Sequence, residues 1–457
     1  MKSYEELVKP YKDVALQSLA ELVGINSVDD PNTKTAEKPF GEGVYKALDY
    51  LAKLGESLGF EVDRCDNYCT ELATGQGKLI DIYSHADVVP VSNNWVHDPF
   101  KLTIEGDKMY GRGACDDKGP GISALFAAKA LKDNGLLDPN VRLRIVFGGN
   151  EEKGSKCLEH YFHVLKKEYP TFGFTPDADF PLIYGEKSVC DYEVEYNVNL
   201  KTVKNFEFGK ATNIVLDRVE VYCFSDEEII KKNIKSYLKK YADTGIKIEY
   251  DDYKLTFIGK PCHGSIPWEG CNAGLHLLNF FGIMNNEKVL KNIYKYYHDG
   301  RGAAFGGDYS SEYFKDSSYC IGMMKYVEGK ISFIVNMRLP ENKNIDEVIE
   351  QVRKSTGCDN LTVKSRAEAL LIDPNSYLVK TLTNVYREET GDNTTPIMAI
   401  GGGTYAKESK NTIAFGPTFP NREFYIHQDD EYFSIEDFMK CMAIYAHAIV
   451  ELSKGAK

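Results

Sequence analysis

Cysteine pairing is the first thing this sequence lacks. Its 11 cysteines are an odd number, run from Cys65 to Cys441, and include neither a C-x-x-C pair nor a regular spacing. A secreted chain rarely leaves so many unpaired, so the expected compartment is reducing. An apolar start is missing too: Met1 is followed by Lys2, Glu5, Glu6 and Lys9, where a signal peptide needs a hydrophobic stretch. No apolar run approaches membrane-spanning length. Cationic side chains are in deficit, with 55 Lys and Arg against 68 Asp and Glu, a formal net charge of −13. That balance argues against nucleic acid and anionic membranes as partners, since both demand basic surface, while leaving the fold open. Internal repeats and low-complexity linkers are absent as well. The expectation is a soluble, cytoplasmic protein.

What is present is chain enough for two or three domains, 457 residues of which 43% are apolar. Residues 4–23 read as one amphipathic helix marked by Leu7, Val14, Leu16, Leu19 and Leu22, and a second helix spans about Val44 to Leu58. Strands and helices then alternate: a strand at Leu79–Ser84, a helix at Gly119–Leu131, a strand at Val141–Phe147 and a helix at Ser155–Leu165. Such alternation predicts an α/β layer with a mixed, largely parallel sheet flanked by helices. From about Asp191 the pattern changes to half-exposed strands (Asp191–Asn197, the Ile246–Ile258 region, Ile331–Leu339) paired with helices (Asp226–Tyr241, Ala273–Met284, Ile345–Ser355). This is the texture of an α+β domain. After about Ser376 a helix, a strand at Thr412–Phe415 and a long helix from Ser434 to Leu452 restore the α/β pattern. The expected organisation is a catalytic core split into residues 1–190 and 376–457, with residues 191–375 inserted as a lid.

Ligands in open α/β sheets bind at the carboxyl ends of strands, and polar residues gather at these ends. The strand at Leu79–Ser84 runs into His85-Ala86-Asp87, two side chains on one side of the chain. A ligating histidine commonly passes its second ring N–H to a carboxylate, a task suited to Asp87; the plain alternative is a surface pair. Next comes Gly111-Arg112-Gly113-Ala114-Cys115-Asp116-Asp117-Lys118-Gly119-Pro120. It lacks the Gly-x-x-x-x-Gly-Lys-Ser/Thr spacing of a phosphate loop, and adjacent aspartates suit a cation better than a phosphate; either aspartate could instead cap a helix. Glu151 and Glu152 follow Gly148-Gly149-Asn150 at the end of a strand, where one can ligate a metal while the other acts as general base. Thr175-Pro176-Asp177 and Ile426-His427 add a further carboxylate and imidazole, and an acidic cluster follows His427. Nitrogen and oxygen ligands without sulfur suit Zn²⁺, and also Mn²⁺ or Co²⁺.

The order His-x-Asp, Gly-Arg-Gly-x-x-Asp-Asp-Lys-Gly-Pro, Glu-Glu, Pro-Asp and a late His resembles the co-catalytic zinc peptidase family of carboxypeptidase G, carnosinase, aminoacylase and the succinyl-diaminopimelate desuccinylases. It is most similar to the bacterial PepV-type dipeptidases, through Thr175–Pro181, Gly259–Gly270, Asn336–Pro340 and Gly401–Lys407. The resemblance implies two divalent cations, Zn²⁺ first and Mn²⁺ or Co²⁺ otherwise. In it His85 and Asp177 bind one cation, Glu152 and His427 the other, and Asp116 bridges both. Asp87 would orient His85, and a cis peptide would follow Asp116. Glu151 would be the general base, acting on a metal-activated water that attacks a peptide carbonyl. In the lid, His263 would stabilise the oxyanion and Arg338 would hold the substrate carboxylate, with Asn213, Gly402, Gly403 and Thr404 as further substrate contacts.

The expected substrate is therefore a small peptide, a dipeptide, handled by a monomer, with a dimer as the other arrangement seen in the family. An N-acyl amino-acid deacylase or desuccinylase, or a non-catalytic metal-binding relative, would share the core motifs. Departures from the family pattern fall on substrate-side loops: Leu216 for a proline, Asn421 for a glycine, and Lys210 for a small residue. His276 and His447 read as packing residues, and His97, His160, His163 and His298 take no role. The cysteines, Cys115 and Cys262 among them, read as small core fillers.

Overall fold

A computed structural model describes residues 3–200, 203–423 and 425–456. The chain forms two compact units. One takes the chain as far as Gly185, then Leu371–Met398 and the stretch from Gly403 onward; the other takes Glu186–Leu370 and Ala399–Gly402. The division thus falls at 185/186 and 370/371 rather than at 190/191 and 375/376, and four residues expected in the core, 399–402, pack with the inserted unit.

In the first unit the sheet runs, in spatial order, Glu61–Asp63, Cys69–Gly75, Val141–Gly148, Lys78–His85, Phe172–Thr175 and Thr412–Ala414. The first two strands are antiparallel to their neighbours, and the last four are mutually parallel. These four are short runs rich in β-branched and aromatic residues, buried on both faces as parallel strands are. Helices Lys118–Asp133 and Ile435–Gly455 are almost wholly buried beside them. The second of these opens on Ser434, whose hydroxyl accepts the Asp437 N–H.

Two expected helices are shorter than their pattern. Pro10 lacks an N–H, so residues 4–23 divide into Tyr4–Val8, a 3₁₀ turn Lys9–Tyr11, and Lys12–Val23. The stretch 155–165 is α-helical only over Lys156–Glu159 before widening into a π turn, His160–Val164.

The second unit is built on an antiparallel sheet in the order Phe206–Phe208, Ser318–Val327, Lys330–Leu339, Ser188–Asn197 and Asn360–Ala367. Burial alternates along Ser188–Asn197 as period-2 side chains require. Helices Ala273–Met284, Lys288–Tyr297 and Ile345–Thr356 bury their apolar side chains in the same core. A three-stranded sheet of Arg218–Tyr222, Lys254–Ile258 and Lys247–Asp251 completes the unit. Among the described residues no helix is long and apolar enough to cross a membrane.

Candidate metal centre

The four parallel strands of the first unit deliver the candidate ligands from their carboxyl ends. Lys78–His85 ends on His85; Val141–Gly148 leads to Glu151 and Glu152; Phe172–Thr175 leads to Asp177; Thr412–Ala414 leads to the segment carrying His427. Asp116 stands in the loop before helix Lys118–Asp133, joined to Asp117 by a cis peptide bond.

All five candidate ligands meet. The two oxygens of Asp116 face different imidazoles: Oδ1 lies 3.0 Å from His85 Nε2 and Oδ2 lies 3.0 Å from His427 Nε2. His427 Nε2 is also 3.1 Å from Glu152 Oε1, and His85 Nε2 is 3.9 Å from Asp177 Oδ2. Ligand atoms of His85, Asp116 and Glu152 lie within 4.8 Å of one another, as do those of His85, Asp117 and Asp177. This set fits two cations on its own chemistry. It offers two imidazoles and several carboxylates without sulfur, a carboxylate placed to bridge, and a buried Asp117 Oδ1 with no hydrogen-bond partner.

Asp117 occupies the helix N-cap position but makes no side-chain cap; its Oδ2 accepts the His85 backbone N–H at 3.3 Å instead. Asp87 does not present its carboxylate to His85 as expected. His85 Nδ1 lies 2.9 Å from the Asp87 backbone carbonyl, while the carboxylate, 3.7 Å away at Oδ1, accepts the N–H groups of Glu151 at 3.0 Å and Glu152 at 3.2 Å. One residue thereby holds the imidazole through its backbone and the Glu-Glu pair through its side chain.

In the second unit, Arg338 is buried; its Nε donates to Asn336 Oδ1 at 3.0 Å and its Nη1 to the Gly401 carbonyl. Asn336 is in turn held by Asp191, which accepts its Nδ2–H at 2.6 Å. The Asn213 carbonyl accepts the Gly264 N–H at 2.7 Å, and Ile214 bridges to His263. The His263 ring is 2.8 Å from Ser265 Oγ at Nδ1. Burial, aided by the Arg338 charge, lowers its pKa to about 4, so the imidazole is neutral at pH 7. The candidate contacts at 402–404 divide: Gly402 belongs with this unit, Gly403 and Thr404 with the other, and Thr404 caps the turn Tyr405–Lys407 by accepting the Ala406 N–H at 3.1 Å.

Residues 82–451 match the model of peptidase family M20/M25/M40. The chain belongs to this family. It is therefore a peptidase, a hydrolase of a metal-dependent group. This peptidase is 34% identical over 465 residues, 98% of this chain and 99% of the relative, to "Putative dipeptidase YtjP" of Bacillus subtilis. It is 32% identical over 474 residues, with the same shares, to a "Putative dipeptidase" of Staphylococcus epidermidis. Among solved structures it is similar to human carnosine dipeptidase 1, with a TM-score of 0.62 at 16% identity over 99% of this chain and 98% of that one. The Saccharomyces cerevisiae di-peptidase Dug1p also gives 0.62, at 14% identity over 99% and 98%. At such identities the likeness is one of fold.

The electrostatics of this peptidase's centre are those of crowded carboxylates. Burial, then Glu152, Asp87 and Asp116, push the Glu151 carboxyl well above the carboxylate range, against His85. Burial disfavours protonation of His85, but Asp116, Asp177 and Asp87 outweigh it and raise its pKa well up. Hydrogen bonds to Asp116 and Glu152 raise His427 to about 10. Positive charge in the site opposes the rise at the carboxyls.

Reading the sequence left several supporting residues without a role. The acidic cluster after His427 is one: Asp430 accepts the N–H groups of Val96 and His97 and faces His97 Nδ1 at 2.8 Å, and Asp429 accepts from Ser92 at 2.7 Å. His97, given no task from sequence, is thus an anchor of the His427 turn. Asp29 receives Lys34 at 2.8 Å and lies 3.5 Å from both Lys153 Nζ and Asn150 Nδ2, securing the loop of Glu151 and Glu152. Lys118 buries its ammonium on the carbonyls of Leu22 and Ile25. The cluster 429–431 carried a visible signal in its charge, and Lys118 in its place within the motif 111–120; Asp29 is an ordinary residue until the chain folds.

Proposed function

We propose that this peptidase is a cytoplasmic dipeptidase of peptide catabolism, which hydrolyses dipeptides with two divalent cations, Zn²⁺ first and Mn²⁺ or Co²⁺ otherwise. The observation that carries the reading is Asp116 with one oxygen toward each of His85 and His427. His85 and Asp177 would hold one cation, Glu152 and His427 the other, and Asp116 both. When bound, the pair supplies Lewis acidity and lowers the pKa of water toward neutrality.

The chain's own residues do the rest. Glu151, with its backbone fixed by the Asp87 carboxylate, takes the proton of the attacking water and delivers it to the leaving amine. Arg338, oriented by Asn336, binds the free carboxylate of the substrate and so limits its length. Neutral His263 serves as hydrogen-bond donor to the oxyanion, a task worth about 3–4 kcal/mol by analogy with other oxyanion donors. Asn213 and Gly402 contribute further substrate contacts. The names of the relatives favour dipeptides over N-acyl amino acids. The molecule acts as a monomer and needs neither nucleic acid nor membrane, in keeping with its net charge of −13.

A panel of dipeptides and N-acyl amino acids, run on metal-stripped protein reloaded with Zn²⁺, Mn²⁺ or Co²⁺, tests this. Dipeptides should turn over and N-acyl amino acids should not; the reverse would make it a deacylase. Glu151→Ala should keep its metal content and lose turnover. Full activity in that variant would remove Glu151 from the chemistry.

A further inference from the structure

We propose that Glu431 is a positioning residue for the dinuclear centre, holding the Asp116 loop and the His427 segment in one fixed relation. The inference rests on the reading that Asp116 and His427 hold metal. Glu431 is completely buried. Its Oε1 accepts three backbone N–H groups, those of Gly113 at 3.1 Å, Cys115 at 2.9 Å and Asp116 at 3.1 Å. Its Oε2 accepts Arg112 Nη1 at 2.6 Å, and its own carbonyl accepts the Gly111 N–H at 3.0 Å. Successive N–H groups turned toward one point make an anion-binding concavity, and here the chain itself supplies the anion.

The geometry ties this concavity to the cations. The loop 111–116 ends on the carboxylate whose two oxygens face His85 and His427. Those oxygens can face both imidazoles only while the backbone at Asp116 is held, and the Asp116 N–H is one of the three that Glu431 holds. At its other end Glu431 lies four residues beyond His427 in a turn with left-handed backbone at His427 and Asp430, φ 62° and 54°. A single side chain therefore joins two segments more than 300 residues apart, Asp116 and Glu431 being separated by 315 positions in sequence. Any drift at Glu431 changes the distance from Asp116 to His427.

Glu431→Gln keeps one acceptor for the N–H groups but turns an amide N–H₂ against the Arg112 donor. Titration of the metal-free variant with Co²⁺, followed through the visible absorption of the bound ion, should show affinity reduced by about 10- to 100-fold, as for loss of a ligand-supporting contact. Leu382→Ala, a core variant in helix Tyr377–Thr390 of the same unit, serves as control. Matched in melting temperature, it should bind Co²⁺ like wild type. Wild-type affinity in Glu431→Gln, or an equal loss in Leu382→Ala, overturns the proposal. If Glu431→Gln fails to fold, amide exchange in the wild-type, metal-free protein decides. The Gly113, Cys115 and Asp116 amides should be protected, and fast exchange at all three overturns it. A wild-type protein that takes up no Co²⁺ sinks the metal reading itself, and this proposal with it.

Discussion

His427 adopts φ 62°, a left-handed backbone that costs a side-chain-bearing residue about 1–2 kcal/mol. The strain is offset by the carboxylates that follow it, each bonded into the loops at 92–97 and 111–116. Asn421 has φ 65°, and asparagine is among the side chains that best tolerate this region. Leu216 is buried in the core of the second unit. Arg338 shows why residue type matters at a site. Its Nε and Nη1 are already engaged, so it can offer a ligand only the rest of a planar fork, which lysine lacks. Arg338→Lys should raise KM for dipeptides about 10- to 100-fold, the loss of one charge-assisted hydrogen bond, with a smaller change in kcat. Unchanged KM would take Arg338 out of substrate binding.

At the scale of elements, the join between the loop 111–117 and helix Lys118–Asp133 depends on Gly119. A Cβ there would stand 2.0 Å from the Ala114 carbonyl oxygen, a backbone atom that cannot swing aside. Gly119→Ala should therefore cost about 3 kcal/mol, the upper end for overpacking, and weaken Co²⁺ binding as the loop is displaced; denaturant unfolding and metal titration check both. In the second unit, helix Ala273–Met284 buries His276 beside the Tyr237 hydroxyl, 3.0 Å from Nδ1. Burial, with a smaller push from His298, lowers its pKa to about 4. The folded state thus binds the proton less well than the unfolded chain, whose histidine titrates near 6.5. The stability His276 contributes is complete above about pH 6.5 and is lost as pH falls toward 4. Between pH 7 and pH 5 this amounts to about 2 kcal/mol. His276→Gln should shrink the fall in urea-unfolding stability over that range by that amount. An identical pH dependence in the variant would contradict it. The sequence pattern placed a helix near Ala273–Met284, and the structure has it there, opened by Asn272, whose side chain accepts the Leu275 N–H. The pattern failed at residues 4–23 and 155–165, where Pro10 and a widened turn interrupt an apolar stripe that continues through both.

For the whole molecule, the first unit gathers the carboxylates of Asp87, Asp116, Asp117, Glu151, Glu152 and Asp177 around two imidazoles, and cations held there would stabilise the native state by mass action. Chelation should lower the melting temperature by roughly 10 °C, the effect of about 4 kcal/mol at metal a thousandfold above Kd. A melting curve indifferent to chelator would argue against resident metal. The second unit, whose described candidate residues include His263 and Arg338, should melt without that dependence.

The sequence by itself determined the α/β and α+β textures, the order of ligand motifs and the general base candidate, since these follow from local periodicity and from residue types that chemistry restricts. Tertiary structure alone decided that Asp87 serves His85 through its carbonyl and the Glu-Glu pair through its carboxylate. It alone also placed residues 399–402 with the inserted unit and set Glu431 beneath the Asp116 loop. Those relations join residues far apart along the chain, and no local pattern encodes which buried N–H groups a distant carboxylate will meet.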